Sequence, residues 1–136
     1  MEFRSSILYV DDNPKARRLL SAILEQGGYH VVSAETPSEA IALAHSAEFD
    51  VALLDYGLPT MTGAQLAQEL KCTSHNIPVV LISGAQWLPR QELMYVDAYC
   101  GSGSTLDELM ETIQSLLVAR EARLGGAAQA FHVDAD

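Results

Sequence analysis

DVALLDYGLPTMTG, residues 50–63, decides how this chain is read. Val51-Ala52-Leu53-Leu54 is an apolar run too short to be a helix, and it ends in a single carboxylate, Asp55. Gly57-Leu58-Pro59 follows as a turn and Gly63 closes the segment. The run therefore reads as a buried strand with Asp55 at its carboxyl end. In open α/β sheets that rim is where ligands bind. The other segments matter for what they place beside Asp55.

Ile7-Leu8-Tyr9-Val10 is a second short apolar run ending in acid, Asp11-Asp12. Asn13 suits a helix cap and Pro14 a first turn. Ala16, Leu19, Leu20, Ile23 and Leu24 then form one helical stripe, which Gly27-Gly28 ends. Residues 29–34 form a weaker, more polar strand that fits a sheet edge. Thr36-Pro37-Ser38-Glu39 has the form of a capping box and opens a helix running to about Ser46. After Gly63, Leu66, Ala67 and Leu70 mark a short helix ending near Cys72.

Pro78 opens a fourth strand, residues 79–82, which ends at Ser83-Gly84. Residues 85–96 contain Pro89, which predicts a short or irregular fourth helix. Trp87, Leu88, Met94 and Tyr95 in this segment read as core or half-core residues, with a partner surface as the alternative. Ala98-Tyr99-Cys100 is a small fifth strand. Thr105-Leu106-Asp107-Glu108 is a second capping box. It starts a long last helix with Leu106, Leu109, Met110, Ile113, Leu116 and Leu117 as its stripe, ending before Gly125-Gly126. The far end, with Arg120, Glu121 and Arg123, reads as solvated, with a homodimer contact as the alternative. Residues 125–136 are expected to form a flexible tail, leaving 1–124 as one domain.

Strands alternating with helices predict an α/β fold with a parallel sheet covered on both faces. The expected form is a flavodoxin-like three-layer sandwich, strand order 2-1-3-4-5, with about five helices. That order sets the first and third strands side by side. Asp11, Asp12 and Asp55 then converge on one rim, with Ser83 next to them. Three carboxylates in one pocket repel each other and call for a cation. Oxygen ligands without His or Cys favour Mg²⁺ or Mn²⁺ over Zn²⁺. An Asp beside such an ion is a plausible nucleophile toward a phosphoryl group. A plain helix-capping role would account for Asp11-Asp12 alone, but not for matched acids at two strand ends.

At 136 residues, 49% hydrophobic and 19% charged, the chain suits one globular domain. No apolar stretch approaches the roughly 20 residues that span a bilayer, and the first residues lack the pattern of a signal peptide. A cytoplasmic location and no membrane partner are expected. The net charge of −10 argues against direct nucleic-acid binding. Cys72 and Cys100 read as small, buried or half-buried free thiols. His30, His45, His75 and His132 show no ligand spacing.

The chain resembles the receiver domains of bacterial two-component response regulators, the chemotaxis-Y-like fold, over roughly residues 5–120. The motifs are Val10-Asp11-Asp12-Asn13, Leu54-Asp55-Tyr56-Gly57-Leu58-Pro59 with Gly63, Ile82-Ser83-Gly84, and Asp97-Ala98-Tyr99. Each is weak alone; the four in order at this spacing are specific. The resemblance implies Asp55 as phosphoacceptor, taking a phosphoryl group from a histidine kinase, a phosphotransfer protein or a small donor. It implies Asp12 as a direct Mg²⁺ ligand and Asp11 as one acting mainly through water. Asp55 and the main-chain carbonyl of Gly57 would complete the protein ligands. Ser83 would bond the phosphoryl group, and Tyr99 would be an aromatic switch turning inward with it. The signal would be read on the face of the fourth helix, fifth strand and fifth helix by a downstream protein or an output domain outside this sequence.

The chain departs from the family after the fifth strand. Ser102 stands where Lys belongs and Gly103 where Pro belongs. That Lys contacts the phosphoryl group, and losing a charged donor there would cost about 1–3 kcal/mol. Three outcomes stay open: phosphorylation with Mg²⁺ and Lys15 or Arg90 supplying charge, phosphorylation poorly coupled to output, or a phosphorylation-independent interaction module. An enzyme is not expected beyond slow self-dephosphorylation. The haloacid-dehalogenase pattern of aspartyl-phosphate hydrolases needs Asp-x-Asp, which Asp11-Asp12-Asn13 is not.

Overall fold

The computed structural model describes residues 4–74 and 76–134. Its elements are β1 (Ser6–Val10), α1 (Pro14–Gln26), β2 (His30–Ala34), α2 (Pro37–Ser46), β3 (Val51–Asp55), α3 (Gly63–Thr73), β4 (Val79–Ile82), a 3₁₀ turn (Arg90–Leu93), β5 (Ala98–Cys100) and α4 (Leu106–Asp134). The sheet order is β2-β1-β3-β4-β5, and every pair is parallel. This is the doubly wound, flavodoxin-like arrangement expected from the strand–helix alternation.

Side-chain parity along the strands sorts the core into two layers. Leu8, Val10, Ala52 and Leu54 point to Leu66, Ala67 and Leu70 of α3. Ile7, Tyr9, Val51 and Leu53 point to Leu24 of α1 and to Leu109 and Ile113 of α4. The central strands are buried on both faces, which explains why they read as unbroken apolar runs. β2, at the sheet edge, is half-exposed, as its polar composition predicts.

Helix starts follow local chemistry. The Asn13 side chain accepts from Lys15 N at 3.0 Å and Ala16 N at 3.2 Å. Thr36 accepts from Glu39 N at 3.2 Å, but Glu39 returns to Glu35 N rather than to Thr36 N, so the expected box closes one residue early. Thr105 accepts from Glu108 N at 3.1 Å. The complete capping box is one that the sequence reading missed: Thr62 Oγ1 accepts from Gln65 N, and Gln65 Oε1 accepts from Thr62 N.

Two expectations about the last helix need correction. The last helix does not end before Gly125-Gly126 but continues to Asp134. A glycine inside a helix costs about 1 kcal/mol against Ala without breaking it, and the Ala-rich stretch that follows carries no Pro. Arg120 is half-buried rather than simply solvated: its guanidinium donates to the carbonyls of Phe49 at 3.0 Å and Asp50 at 2.8 Å, tying α4 to the start of β3. Between β4 and β5 there is a single 3₁₀ turn after Pro89, the extreme of the short, irregular helix anticipated there.

Candidate functional site

The register brings the acids together. Val10 pairs with Leu54 and Asp55 with Ile82, so the residues just past β1, β3 and β4 share one rim. One carboxylate oxygen from each of Asp11, Asp12 and Asp55 lies within 4.8 Å of the others. Asp11 is buried, Asp55 half-buried and Asp12 exposed, giving a graded entry from solvent. Burial, then the charge of Asp11, pushes the Asp55 carboxyl above its ordinary range. The amides of Gly57 and Tyr56 pull the other way.

Asp11 is the most tightly held of the three. Its Oδ2 accepts from the Tyr9 hydroxyl at 2.7 Å and its Oδ1 from Asn13 N at 2.9 Å. Its main-chain carbonyl accepts from the Arg17 guanidinium at 2.7 Å. Among the described residues the one ion pair is Lys71–Asp97 at 2.7 Å, elsewhere in the fold. Among the described residues none of the three carboxylates forms an ion pair, and Arg17 reaches only the Asp11 main-chain carbonyl. Lys15 and Arg90, which the sequence offers as charge suppliers, are exposed, and neither bonds to an acidic residue of the pocket among the described contacts. The donor set fits a hard divalent cation: it is all oxygen and dense in negative charge. The Gly57 carbonyl lies in the exposed turn beside Asp55 and accepts no hydrogen bond among the described residues.

The other expected residues gather on one peptide. Ser83 Oγ accepts from Ala85 N at 3.1 Å. The Tyr99 hydroxyl donates to Ala85 O at 2.6 Å. Ser102, exposed, uses its amide to donate to the same carbonyl at 2.9 Å. Gly101 makes this approach possible. A Cβ there would lie 2.5 Å from Ala85 O, 2.9 Å from Gln86 O and 2.9 Å from Tyr99 Cε2. Trp87 (73% exposed), Met94 (69%) and Tyr95 (39%) stand outside the core, correcting their reading as core residues. Leu88 does pack inward. Cys100 is buried but Cys72 is exposed. His75 lies outside the described residues.

Residues 7–98 match the family model of the response regulator receiver domain. The chain belongs to that family. Among relatives, the receiver resembles protein PilH of Pseudomonas aeruginosa, 35% identical over 79 residues, covering 57% of this chain and 65% of PilH. Among solved structures it is similar to the response regulator TrrA of Thermotoga maritima in complex with Mg²⁺-BeF, with 28% identity, TM-score 0.76, and 82% and 98% of the two chains covered. TrrA in complex with the histidine kinase ThkA is similar too, with 29% identity, TM-score 0.77, and 83% and 98% covered. Matched segments span from 12% to 65% of the curated relatives' own lengths. Among the described residues no helix of this receiver is long and apolar enough to cross a membrane.

Tyr9 and Arg17, which hold Asp11, and Gly101, which lets Tyr99 and Ser102 reach Ala85, are the residues that sequence reasoning missed. The one signal that could have found Tyr9 is parity, since residues 9 and 11 share a face of one strand.

Proposed function

We propose that this receiver accepts a phosphoryl group on Asp55 from a histidine kinase or phosphotransfer protein, with Mg²⁺ or Mn²⁺ as cofactor, and signals to a downstream protein or output domain. The observation that carries the reading is the convergence of three carboxylate oxygens within 4.8 Å at the ends of β1 and β3, none of them in an ion pair among the described residues. The ion, when bound, neutralises these acids and the incoming phosphoryl oxygens. Asp12, Asp55 and the Gly57 carbonyl would hold it directly, and Asp11 through water. Asp55 attacks phosphorus in line as the bond from phosphorus to the donor histidine nitrogen breaks, and the electron pair leaves with that nitrogen. Ser83, at the end of β4, keeps its own O–H to donate to the phosphoryl group while Oγ accepts from Ala85 N. Tyr99, joined to the same Ala85 peptide, carries the change toward the β5 face. TrrA's complexes with Mg²⁺-BeF and with a kinase support the cofactor and the partner.

Ser102 at the position of the usual Lys brings no charge, so the phosphorylated state is less stabilised than with that Lys. This, together with the Tyr99 and Ser102 contacts already made on Ala85, favours a second reading: a phosphorylation-independent interaction module of the same fold. Nothing in either reading requires conventional enzyme turnover, nucleic-acid contact or a membrane, and a cytoplasmic setting fits both. Incubation with acetyl phosphate and Mg²⁺, followed by intact mass, separates them. One added phosphoryl group in the wild type and none in Asp55→Asn is expected. No added mass with any donor would leave only the interaction module.

A further inference from the structure

Tyr9 lies under the acidic pocket and is 1% exposed. Its ring packs with Ile7, Leu24, Leu53 and Ile113 between the sheet and the α1–α4 layer. A phenol buried this deeply needs a partner for its hydroxyl. It has one in Asp11 Oδ2 at 2.7 Å. The Asn13 amide takes the other carboxylate oxygen at 2.9 Å, and Arg17 takes the main-chain carbonyl at 2.7 Å. Asp11 is fixed at three atoms, and each carboxylate oxygen keeps acceptor capacity to spare.

We propose that Tyr9 is a positioning residue of the divalent-cation site: its hydroxyl holds the Asp11 carboxylate from inside the core, so that Asp11 meets the ion's water shell in one orientation. This rests on the reading of the pocket as a Mg²⁺ site. A neutral donor suits the task, because it orients an acid without adding a charge that would compete with the ion. An ordinary phenol, with a pKa of about 10, is protonated at neutral pH. Donors that brace a metal-binding side chain from behind are worth about 10–100-fold in metal affinity.

The test is calorimetric titration of the full chain with MgCl₂ for wild type, Tyr9→Phe, Asp11→Asn and the double variant. Phe keeps the ring and its packing and removes only the hydroxyl. Tyr9→Phe is expected to raise the Mg²⁺ Kd roughly tenfold. In the Asp11→Asn background the same change should move it by less than about twofold, because the partner through which Tyr9 acts is gone. Equal losses in both backgrounds would mean general loosening and overturn the proposal. So would a Tyr9→Phe Kd within about twofold of wild type. Should Tyr9→Phe not fold, NMR on the wild type decides: saturating Mg²⁺ should shift the Tyr9 ring resonances, and Asp11→Asn should abolish the shift. Unmoved resonances overturn the proposal. A wild type that binds no Mg²⁺ overturns both this proposal and the cation site, whereas a binding wild type with an indifferent Tyr9 overturns this proposal alone.

Discussion

Gly63 shows how closely the main chain is fitted around Asp55. A Cβ at this position would lie 2.9 Å from the Asp55 carbonyl carbon and 2.7 Å from Leu81 Cδ1. The first turn of α3 therefore sits against the peptide of Asp55, and only glycine permits it. Gly63→Ala should destabilise the fold by about 1–3 kcal/mol through overpacking, read as a lower urea midpoint. It should also weaken Mg²⁺ binding by moving Asp55 from its neighbours. A variant with both values unchanged would show that the β3–α3 turn yields freely. Gly63 was visible in the sequence, as were Asp11, Asp12, Asp55 and Ser83, because each closes or follows an apolar run and a parallel sheet aligns the ends of such runs. Tyr9 was not, since a tyrosine inside an apolar run reads as packing. Arg17 was hidden for another reason: next to Arg18 on an exposed-looking helix turn, nothing in sequence shows which of the two reaches back to the Asp11 carbonyl.

At the scale of elements, the β4 and β5 loops are one unit. Ala85 O receives both the Tyr99 hydroxyl and the Ser102 amide, and Gly101 leaves room for the contact. The sequence GSGS reads as a simple turn, so this join was not legible; it depends on two loops distant in the chain. Gly101→Val should push the loops apart, because its side chain would meet Ala85 O, Gln86 O and the Tyr99 ring. Trp87, the single tryptophan of the chain, is the neighbour of Gln86 and reports on the change. Its emission and its quenching by iodide should shift strongly in Gly101→Val. They should shift weakly in Tyr99→Phe, which loses one hydrogen bond worth about 1 kcal/mol. Identical Trp87 behaviour in Gly101→Val and wild type would mean that the join does not set the loop. The irregular course of residues 84–96 was partly legible through Pro89. The length of α4 was not, because local glycines weaken a helix without dictating where it ends.

For the whole molecule, the pocket places repulsion at the carboxyl rim of an otherwise apolar sheet. Asp55 has a folded-state pKa above its unfolded value, raised first by burial and next by Asp11. The sign follows from linkage. Below the unfolded pKa, near 3.9 for Asp, the protonated group carries no penalty. As pH rises through the folded pKa, ionisation of Asp55 lowers the stability of the folded state. Without a divalent ion at pH 7, Asp55→Asn should therefore be more stable than wild type, and the difference should shrink toward pH 4. Mg²⁺ acts in the opposite sense, stabilising the folded form by RT ln(1 + [L]/Kd). It should do so more for the wild type, because Asp55→Asn removes a charge from the proposed cation site. Thermal unfolding of both proteins, in EDTA at the two pH values and with millimolar Mg²⁺ at pH 7, tests all of this in one series. The expected pattern is a gap favouring Asp55→Asn in EDTA at pH 7 that narrows or inverts when Mg²⁺ is added. A wild type more stable than Asp55→Asn in EDTA at pH 7 would mean that Asp55 is a net structural acceptor, held by the Gly57 and Tyr56 amides, rather than a charge kept in place for an ion and a phosphoryl group.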